Sequence, residues 1–256
     1  MKWRGDYLYL VQNLVLKDFR IRYRNMSLGV LWSLLNPLVM MGVLTFVFTQ
    51  ISLFRSPIKH FPLFVLCGMV PFNFFTIAWL SGTTSIIDNA GLIKRVPVPR
   101  EVIPITTVLA CCIHLLVQIV LLLVVALFSN QKVNVYWLWL PVLWALEIVF
   151  VCGLAMASAS INVFIRDTRY IVESASLVLF WLVPIFYSSD IIPERYRFII
   201  DINPVATVVV SLRRVLLNAQ PIEALTLYKL MAVSFSVFTM GLLLFRRMKP
   251  RFYEHI

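Results

Sequence analysis

Three cations recur at helical spacing near the start of the chain: Lys17, Arg20 and Arg24. On a helix they share one face, and an apolar stripe lies opposite, formed by Leu8, Val11, Val15, Phe19, Tyr23 and Met26. Such a helix lies in the headgroup plane of a membrane, with its cations toward anionic groups. It could guide an anionic lipid-linked substrate or dock a cytoplasmic partner, and a simple topological anchor is the alternative.

A second segment that could contact another molecule is DNAGLIKRVPVPREVIP at residues 88–104. Leu92, Ile93 and Val96 can form one short apolar face, and the prolines that follow stop any helix. An apolar knob surrounded by cations suits docking into a groove on another protein; the cations are Lys94, Arg95 and Arg100. A plain basic loop is the alternative.

Aromatic residues make up 14% of the chain. Their flat apolar rings can stack on sugars, which would suit a pore lining, while lipid-facing belts and internal packing are the alternative roles. The candidates for such a lining are Trp32, Phe72, Phe75, Trp181 and Tyr187.

Motifs of soluble enzyme sites are missing from the sequence. None of the eight glycines begins a G-x-x-x-x-G-K-[ST] loop, and neither H-E-x-x-H nor G-x-S-x-G occurs. The three histidines are isolated in sequence, so we expect no metal site. Asp167 with Glu173 is the nearest acidic cluster for a membrane-embedded lipid- or sugar-modifying enzyme. An ion-coupled carrier is the third class, which sparse intramembrane charge disfavours; Glu147, the one acid deep in an apolar stretch, is expected to pair with a neighbouring helix.

The composition indicates the environment in which these segments lie. Of the 256 residues, 61% are hydrophobic and 14% charged, whereas soluble domains have about 25% charged residues. An all-α integral membrane protein is therefore predicted. The net charge of +11 is explained by cations at headgroups rather than by binding to nucleic acid.

Six apolar stretches are long enough to cross a bilayer, which needs about 20 residues in a helix. They lie at 30–54, 61–87, 104–128, 137–163, 170–189 and 224–245. The chain is predicted to be a single domain over 1–256, with an interface helix at 1–29 and a loop at 88–103. Residues 190–223 hold an apolar run too short to cross, so short re-entrant helices and an outer gate are predicted there, around Asn203, Pro204 and Arg213.

The distribution of Lys and Arg sets the orientation. With the N-terminus inside, cations are concentrated in the inner segments, whereas the short outer loops hold only Arg55, Lys59 and Lys132. Short loops decide topology by the positive-inside rule. Both termini are therefore predicted to be cytoplasmic.

The order of the motifs is similar to that of a known family. LVLKDFRIRYRNMSLGVLWSLLNP is followed by NAGLIKRVPVPRE after the second span, FIRDTRY between spans four and five, and IIPERYRFIIDINPVATVVVSLRRVL before the last span. This arrangement resembles the permease subunit of ABC-2 type polysaccharide exporters, which move O-antigens, capsular polysaccharides or teichoic acids. The resemblance covers essentially the whole chain.

The resemblance implies a homodimeric channel with two copies of a separate nucleotide-binding ABC ATPase, which carry the ATP and Mg²⁺. No cofactor is then expected in this chain. The implied substrate is a polysaccharide linked to undecaprenyl diphosphate, with O-antigen favoured, and the implied location is the bacterial inner membrane. Residues that match the family by position are Lys17, Arg20, Arg22 and Arg24 for substrate access, Leu92, Ile93, Lys94, Arg95 and Val96 for ATPase coupling, and Asn203 and Pro204 for the outer gate.

Overall fold

The computed structural model describes residues 6–23, 29–51, 58–95 and 98–255. Every regular element in these ranges is a helix, which confirms the predicted all-α class. The α-helices are α1 (Tyr7–Tyr23), α2 (Trp32–Gln50), α3 (Phe61–Asp88), α4 (Ala90–Arg95), α5 (Val102–Phe128), α6 (Leu140–Phe164), α7 (Thr168–Leu182), α8 (Phe198–Ile202), α9 (Pro204–Leu216) and α10 (Ala224–Met248). Short 3₁₀ segments flank several of them, and the last, at Lys249–Glu254, is called the C-terminal turn.

Five helices of the described ranges are long and apolar enough to cross a membrane. They are Trp32–Gln50, Phe61–Asp88, Val102–Phe128, Val135–Phe164 and Ala224–Phe252. Each corresponds to one of the stretches predicted from the sequence.

The predicted fifth span, 170–189, differs from the other five. Its helix α7 has 15 residues, or about 22 Å of length, and ends at Leu182 because Pro184 follows. Proline has no N–H to continue the helix and forces the residue before it into extended geometry, and Val183 is extended. The chain beyond is not helical, yet Val183 and Ile185 are fully buried. Non-helical backbone at membrane depth is tolerated where protein covers it.

Helix α3 lies at the centre of the bundle and packs against α2, α5, α6, α7 and α9. Its fully buried side chains include Leu63, Leu66 and Phe75. Helix α2 is the opposite case, since large apolar side chains such as Trp32, Val39 and Phe46 are more than half exposed. An exposed apolar face on a membrane helix contacts lipid or another chain.

Helices α6 and α10 approach each other most closely at a pair of glycines. A Cβ added to Gly241 would lie 2.1 Å from the carbonyl oxygen of Gly153. A Cβ added to Gly153 would lie 2.6 Å from the backbone of Phe238. Small residues allow this close approach of two membrane helices.

A separate apolar cluster closes the end of the bundle at which α4 lies, which we call the α4 end. It joins the ends of α3, α6 and α10 to the start of α5 through Ile86, Ile93, Ile103, Met156, Ala159, Val163, Phe245 and Phe252. The opposite end, which carries α8 and α9, is called the α9 end.

Candidate functional site

Helix α1 is anchored to the bundle by a polar contact at Lys17. Its Nζ donates a hydrogen bond to Oδ1 of Asn89, between α3 and α4. The neighbouring Asp18 lies 3.8 Å from the same Nζ and accepts a 3.0 Å hydrogen bond from the Thr107 hydroxyl on α5. Lys17 is therefore directed toward the protein, which the spacing of the cations alone did not predict.

The other cations of α1 are placed differently. Arg20 is exposed, so it is the described cation that remains available for an anionic group. The side chain of Arg22 and all of Arg24 lie outside the described part of the chain. Leu14, which is not part of the predicted apolar stripe, is buried, while Leu8 of that stripe is 67% exposed. Together these exposures fit a helix at a membrane surface.

Helix α4 presents cations rather than an apolar knob. Ile93 is only 4% exposed and belongs to the apolar cluster at the α4 end, so it packs within its own chain instead of facing a partner. Leu92 is half-buried, while Lys94 and Arg95 are exposed. Val96 lies outside the described residues. The charged, exposed surface of α4 is therefore formed by Lys94 and Arg95, with the half-buried Leu92 beside them.

The C-terminal turn is clasped to the loop after α4. Arg100 donates a 2.8 Å hydrogen bond to the carbonyl of Lys249, and Lys249 Nζ donates a 2.7 Å hydrogen bond to Oε1 of Glu101. Burial raises the pKa of Glu101, but the hydrogen bond from Lys249, a backbone hydrogen bond and the charges of Lys249 and Arg246 together outweigh burial and lower the pKa overall. These two hydrogen bonds hold the C-terminal turn against the segment that precedes α5, at the α4 end of the bundle.

At the α9 end, the Asn203-Pro204 dipeptide begins α9. Oδ1 of Asn203 accepts hydrogen bonds from the backbone N–H groups of Val205 at 3.0 Å and Ala206 at 3.4 Å. Pro204 occupies the first helical position, where its missing N–H costs nothing. The dipeptide thus works as the helix start expected from sequence, and the apolar face of α9 packs on α3 and α6.

Arg213 is the central polar side chain of this end and is 7% exposed. Its Nη2 donates to the carbonyls of Ile185 at 2.6 Å and Phe64 at 3.1 Å, and its Nη1 to that of Tyr187 at 3.4 Å. The guanidinium carbon also lies 3.4 Å from the centroid of the Phe64 ring. Arg213 therefore fastens α9 to both α3 and the non-helical stretch after α7.

Only a helical-register argument could have found this role from the sequence. Arg213 follows Val205 and Val209 at intervals of four, so it continues the buried stripe of α9. Arg214, one residue on, is half-buried and forms a 2.6 Å ion pair with Glu223. The sequence placed Arg213 at the predicted outer gate but did not indicate that its guanidinium is buried against backbone carbonyls.

The proposed aromatic lining divides into two sets. Phe72 and Phe75 are 5% and 1% exposed, and the Phe72 ring packs 5.5 Å from that of Phe180. Trp32 and Trp181 are 54% and 67% exposed. Tyr187 lies between these cases, with its hydroxyl donating a 2.9 Å hydrogen bond to the carbonyl of Trp181. Phe72 and Phe75 are thus interior packing residues of the single chain, and the exposed rings are the two tryptophans.

A family profile described as ABC-2 type transporter matches residues 9–217, from α1 to the residue after α9. The chain belongs to the ABC-2 type transporter family.

Relatives of this ABC-2 chain match over nearly their whole length. An O-antigen export system permease protein RfbA of Klebsiella pneumoniae is 30% identical over 257 residues, which is 99% of this chain and 98% of the relative. A protein of the same name from Myxococcus xanthus is 28% identical over 98% of this chain and 96% of its own. The polysialic acid transport protein KpsM of Escherichia coli is 26% identical over 92% of each.

The acidic residues of the ABC-2 chain that the sequence singled out have different surroundings. Glu173 forms a 3.0 Å ion pair with Arg169. In the described ranges, no cluster of three His, Cys, Asp or Glu side chains could hold a metal ion. Glu147 is 1% exposed, and neither carboxyl oxygen has a hydrogen-bond partner in the part of the chain described. The expected pairing of Glu147 with a neighbouring helix is therefore wrong for these residues, because apolar side chains fill the surroundings of α6.

Proposed function

We propose that this chain is the membrane-spanning permease subunit of an ATP-driven transporter that exports polysaccharide linked to undecaprenyl diphosphate. O-antigen is the favoured cargo, and the membrane is the bacterial cytoplasmic membrane. The observation that carries the proposal is the match to an O-antigen export permease over 99% of this chain and 98% of the relative. The more distant match to KpsM makes a capsular polysaccharide the second candidate.

The proposed complex contains two copies of this chain and two copies of a separate ABC ATPase, which binds ATP and Mg²⁺. The sequence holds no P-loop of its own, which is consistent with hydrolysis on another subunit. The exposed apolar surface of α2 supports contact with a second copy. The exposed cations of α4 support contact with the ATPase at the α4 end.

The proposed function is tested by reconstituting the permease with an O-antigen ABC ATPase in proteoliposomes. ATP hydrolysis is expected to rise when undecaprenyl diphosphate-linked O-antigen is added, and to stay at its basal rate with the free polysaccharide. Stimulation by a lipid-linked capsular glycan alone would favour the second cargo. Absence of stimulation by either lipid-linked glycan would contradict the proposal.

The ATPase is proposed to dock on Lys94 and Arg95. Reversing both charges by Lys94→Glu and Arg95→Glu is expected to lower the copurified ATPase about tenfold, because a charge reversal at an interface opposes association. Arg247→Glu is the matched control, since Arg247 is an exposed cation of the same end but belongs to α10. An equal loss in the control would show a general charge effect and contradict docking on α4.

Both termini are proposed to be cytoplasmic, with the α9 end outside. Cysteines introduced by Lys132→Cys and Lys94→Cys lie at opposite ends of the bundle, and both positions are exposed. In intact cells, an impermeant thiol reagent is expected to label the first variant and not the second. Labelling of Lys94→Cys alone would show that the bundle has the opposite orientation.

Substrate access is proposed to use Arg20 on α1. A cation near a membrane surface contributes about 1 kcal/mol of attraction to anionic groups, so Arg20→Gln is expected to lower export per assembled complex about fivefold. Lys229→Gln, an exposed cation of α10 at the α9 end, serves as the control. If Arg20→Gln leaves export per assembled complex unchanged, Arg20 has no role in substrate access and α1 serves only as a membrane anchor.

A further inference from the structure

A cavity of about 730 Å³ opens at the α9 end of the bundle. Its walls come from four separate stretches: the start of α3, the turn after α5, the segment after α7 and the end of α9. The volume lies within the range of about 300–1,000 Å³ that is typical of small-ligand sites. Polar side chains on the cavity wall include Lys59, Gln131, Asp190, Arg213, Asn218 and Gln220.

The charge on the cavity wall is positive. The guanidinium of Arg213 is bonded to backbone carbonyls, and no carboxylate of the described residues forms an ion pair with it. A buried cation without a counter-ion keeps its field, because the low-dielectric surroundings screen it weakly. At the rim, Lys59 is exposed and likewise lacks an ion-pair partner among the residues described.

One carboxylate, that of Asp190, lines the same cavity. Oδ2 of Asp190 accepts a 2.8 Å hydrogen bond from the Ser188 hydroxyl. Arg214, also on the wall, is paired with Glu223. The hydrogen bond from the neutral Ser188 hydroxyl leaves the charge of Asp190 in place, but three cations of the wall, Lys59, Arg213 and Arg214, outnumber it. The balance of charge on the wall therefore favours a negatively charged ligand.

The remaining polar wall suits hydroxyl groups. The side-chain amides of Gln131, Asn218 and Gln220 each offer both donors and acceptors of hydrogen bonds. A sugar ring carries hydroxyls that donate and accept in the same way. An anion-attracting wall next to several amides therefore fits a saccharide that carries an acidic group.

We propose that this cavity binds an acidic saccharide segment, with its carboxylate or phosphate group toward Arg213 and Lys59 and its hydroxyls toward the amides. The inference rests on the proposed function, because the cavity lies at the end of the bundle from which an exported glycan would emerge.

Binding is tested with the full chain in nanodiscs, using trigalacturonate as the probe and isothermal titration calorimetry as the readout. Lys59→Gln is expected to weaken binding about tenfold, because a charge-assisted hydrogen bond is lost. Lys59 is exposed, so the variant should keep the elution volume of the folded protein. Lys132→Gln is the matched control, since Lys132 is an exposed cation of the same end and does not line the cavity. It should bind trigalacturonate as the unmodified chain does.

Further probes separate the parts of the proposal. Competition by glucose 1-phosphate, with none by inorganic phosphate, would support a saccharide whose acid is a phosphate. Equal binding of inorganic phosphate would overturn the saccharide part. Failure of trigalacturonate to bind, equal binding of neutral galactotriose, or an equal loss in Lys132→Gln would overturn the whole inference. The measurement needs neither ATPase nor transport, so its failure is distinguishable from failure of the export proposal.

Discussion

Replacing Arg213 by methionine is expected to lower the free energy of unfolding by about 3 kcal/mol or more. The substitution removes the donors that reach the carbonyls of Phe64, Ile185 and Tyr187. Buried carbonyls without a partner carry a desolvation penalty of about 1–3 kcal/mol each. The measurement is the temperature at which the detergent-solubilised chain loses its monodisperse elution peak.

The adjacent arginine provides the control for this experiment. Arg214→Met removes a partly exposed ion pair with Glu223, and such pairs contribute about 0–1 kcal/mol. Arg213→Lys should fall between the two, because an ammonium cannot reach three carbonyls with the geometry of a planar guanidinium. Equal losses in Arg213→Met and Arg214→Met would contradict the fastening role of Arg213.

Gly241→Ala is expected to disrupt the packing of α10 on α6, with a loss of about 3 kcal/mol. The new methyl carbon would lie 2.1 Å from the carbonyl oxygen of Gly153. Backbone cannot move aside as a flexible side chain can, so the helices must separate. The expected result is a lower yield of folded chain and a lower thermal transition in detergent.

The control for the glycine contact is Gly42→Ala in α2. An added Cβ there has no heavy atom within 4 Å, and alanine is the better helix former by about 1 kcal/mol. This variant should keep the thermal transition of the original chain. A similar loss in both variants would mean that a methyl group added to either membrane helix is destabilising. That result would contradict a specific effect of the contact between α6 and α10.

The positions of the long helices were predictable because the bilayer demands about 20 apolar residues in each crossing. The start of α9 was predictable for a local reason, since Asn203 and Pro204 are favoured at the cap and first helical positions. The end of α7 was not located, because hydropathy counts the apolar residues around Pro184 without registering that proline stops the helix there.

The candidate sites were harder to predict because their roles depend on neighbours distant in sequence. The spacing of the cations along α1 cannot show that Lys17 is directed toward the bundle by a hydrogen bond to Asn89. Ile93 belongs to an apolar cluster contributed by five separate helices and the C-terminal turn, so its direction could not be read from a six-residue motif. Exposure of Lys94 and Arg95, by contrast, follows from their charge.

The contact between Gly153 and Gly241 also limits how the bundle can rearrange. A slide of one helical turn, about 5.4 Å, would bring Val237 or Phe245 against Gly153 in place of Gly241. Neither side chain fits where even a single methyl carbon would collide with backbone. The glycine contact therefore opposes a one-turn slide of α10 along α6, so a change in the shape of the bundle that keeps this contact must come from other helix pairs.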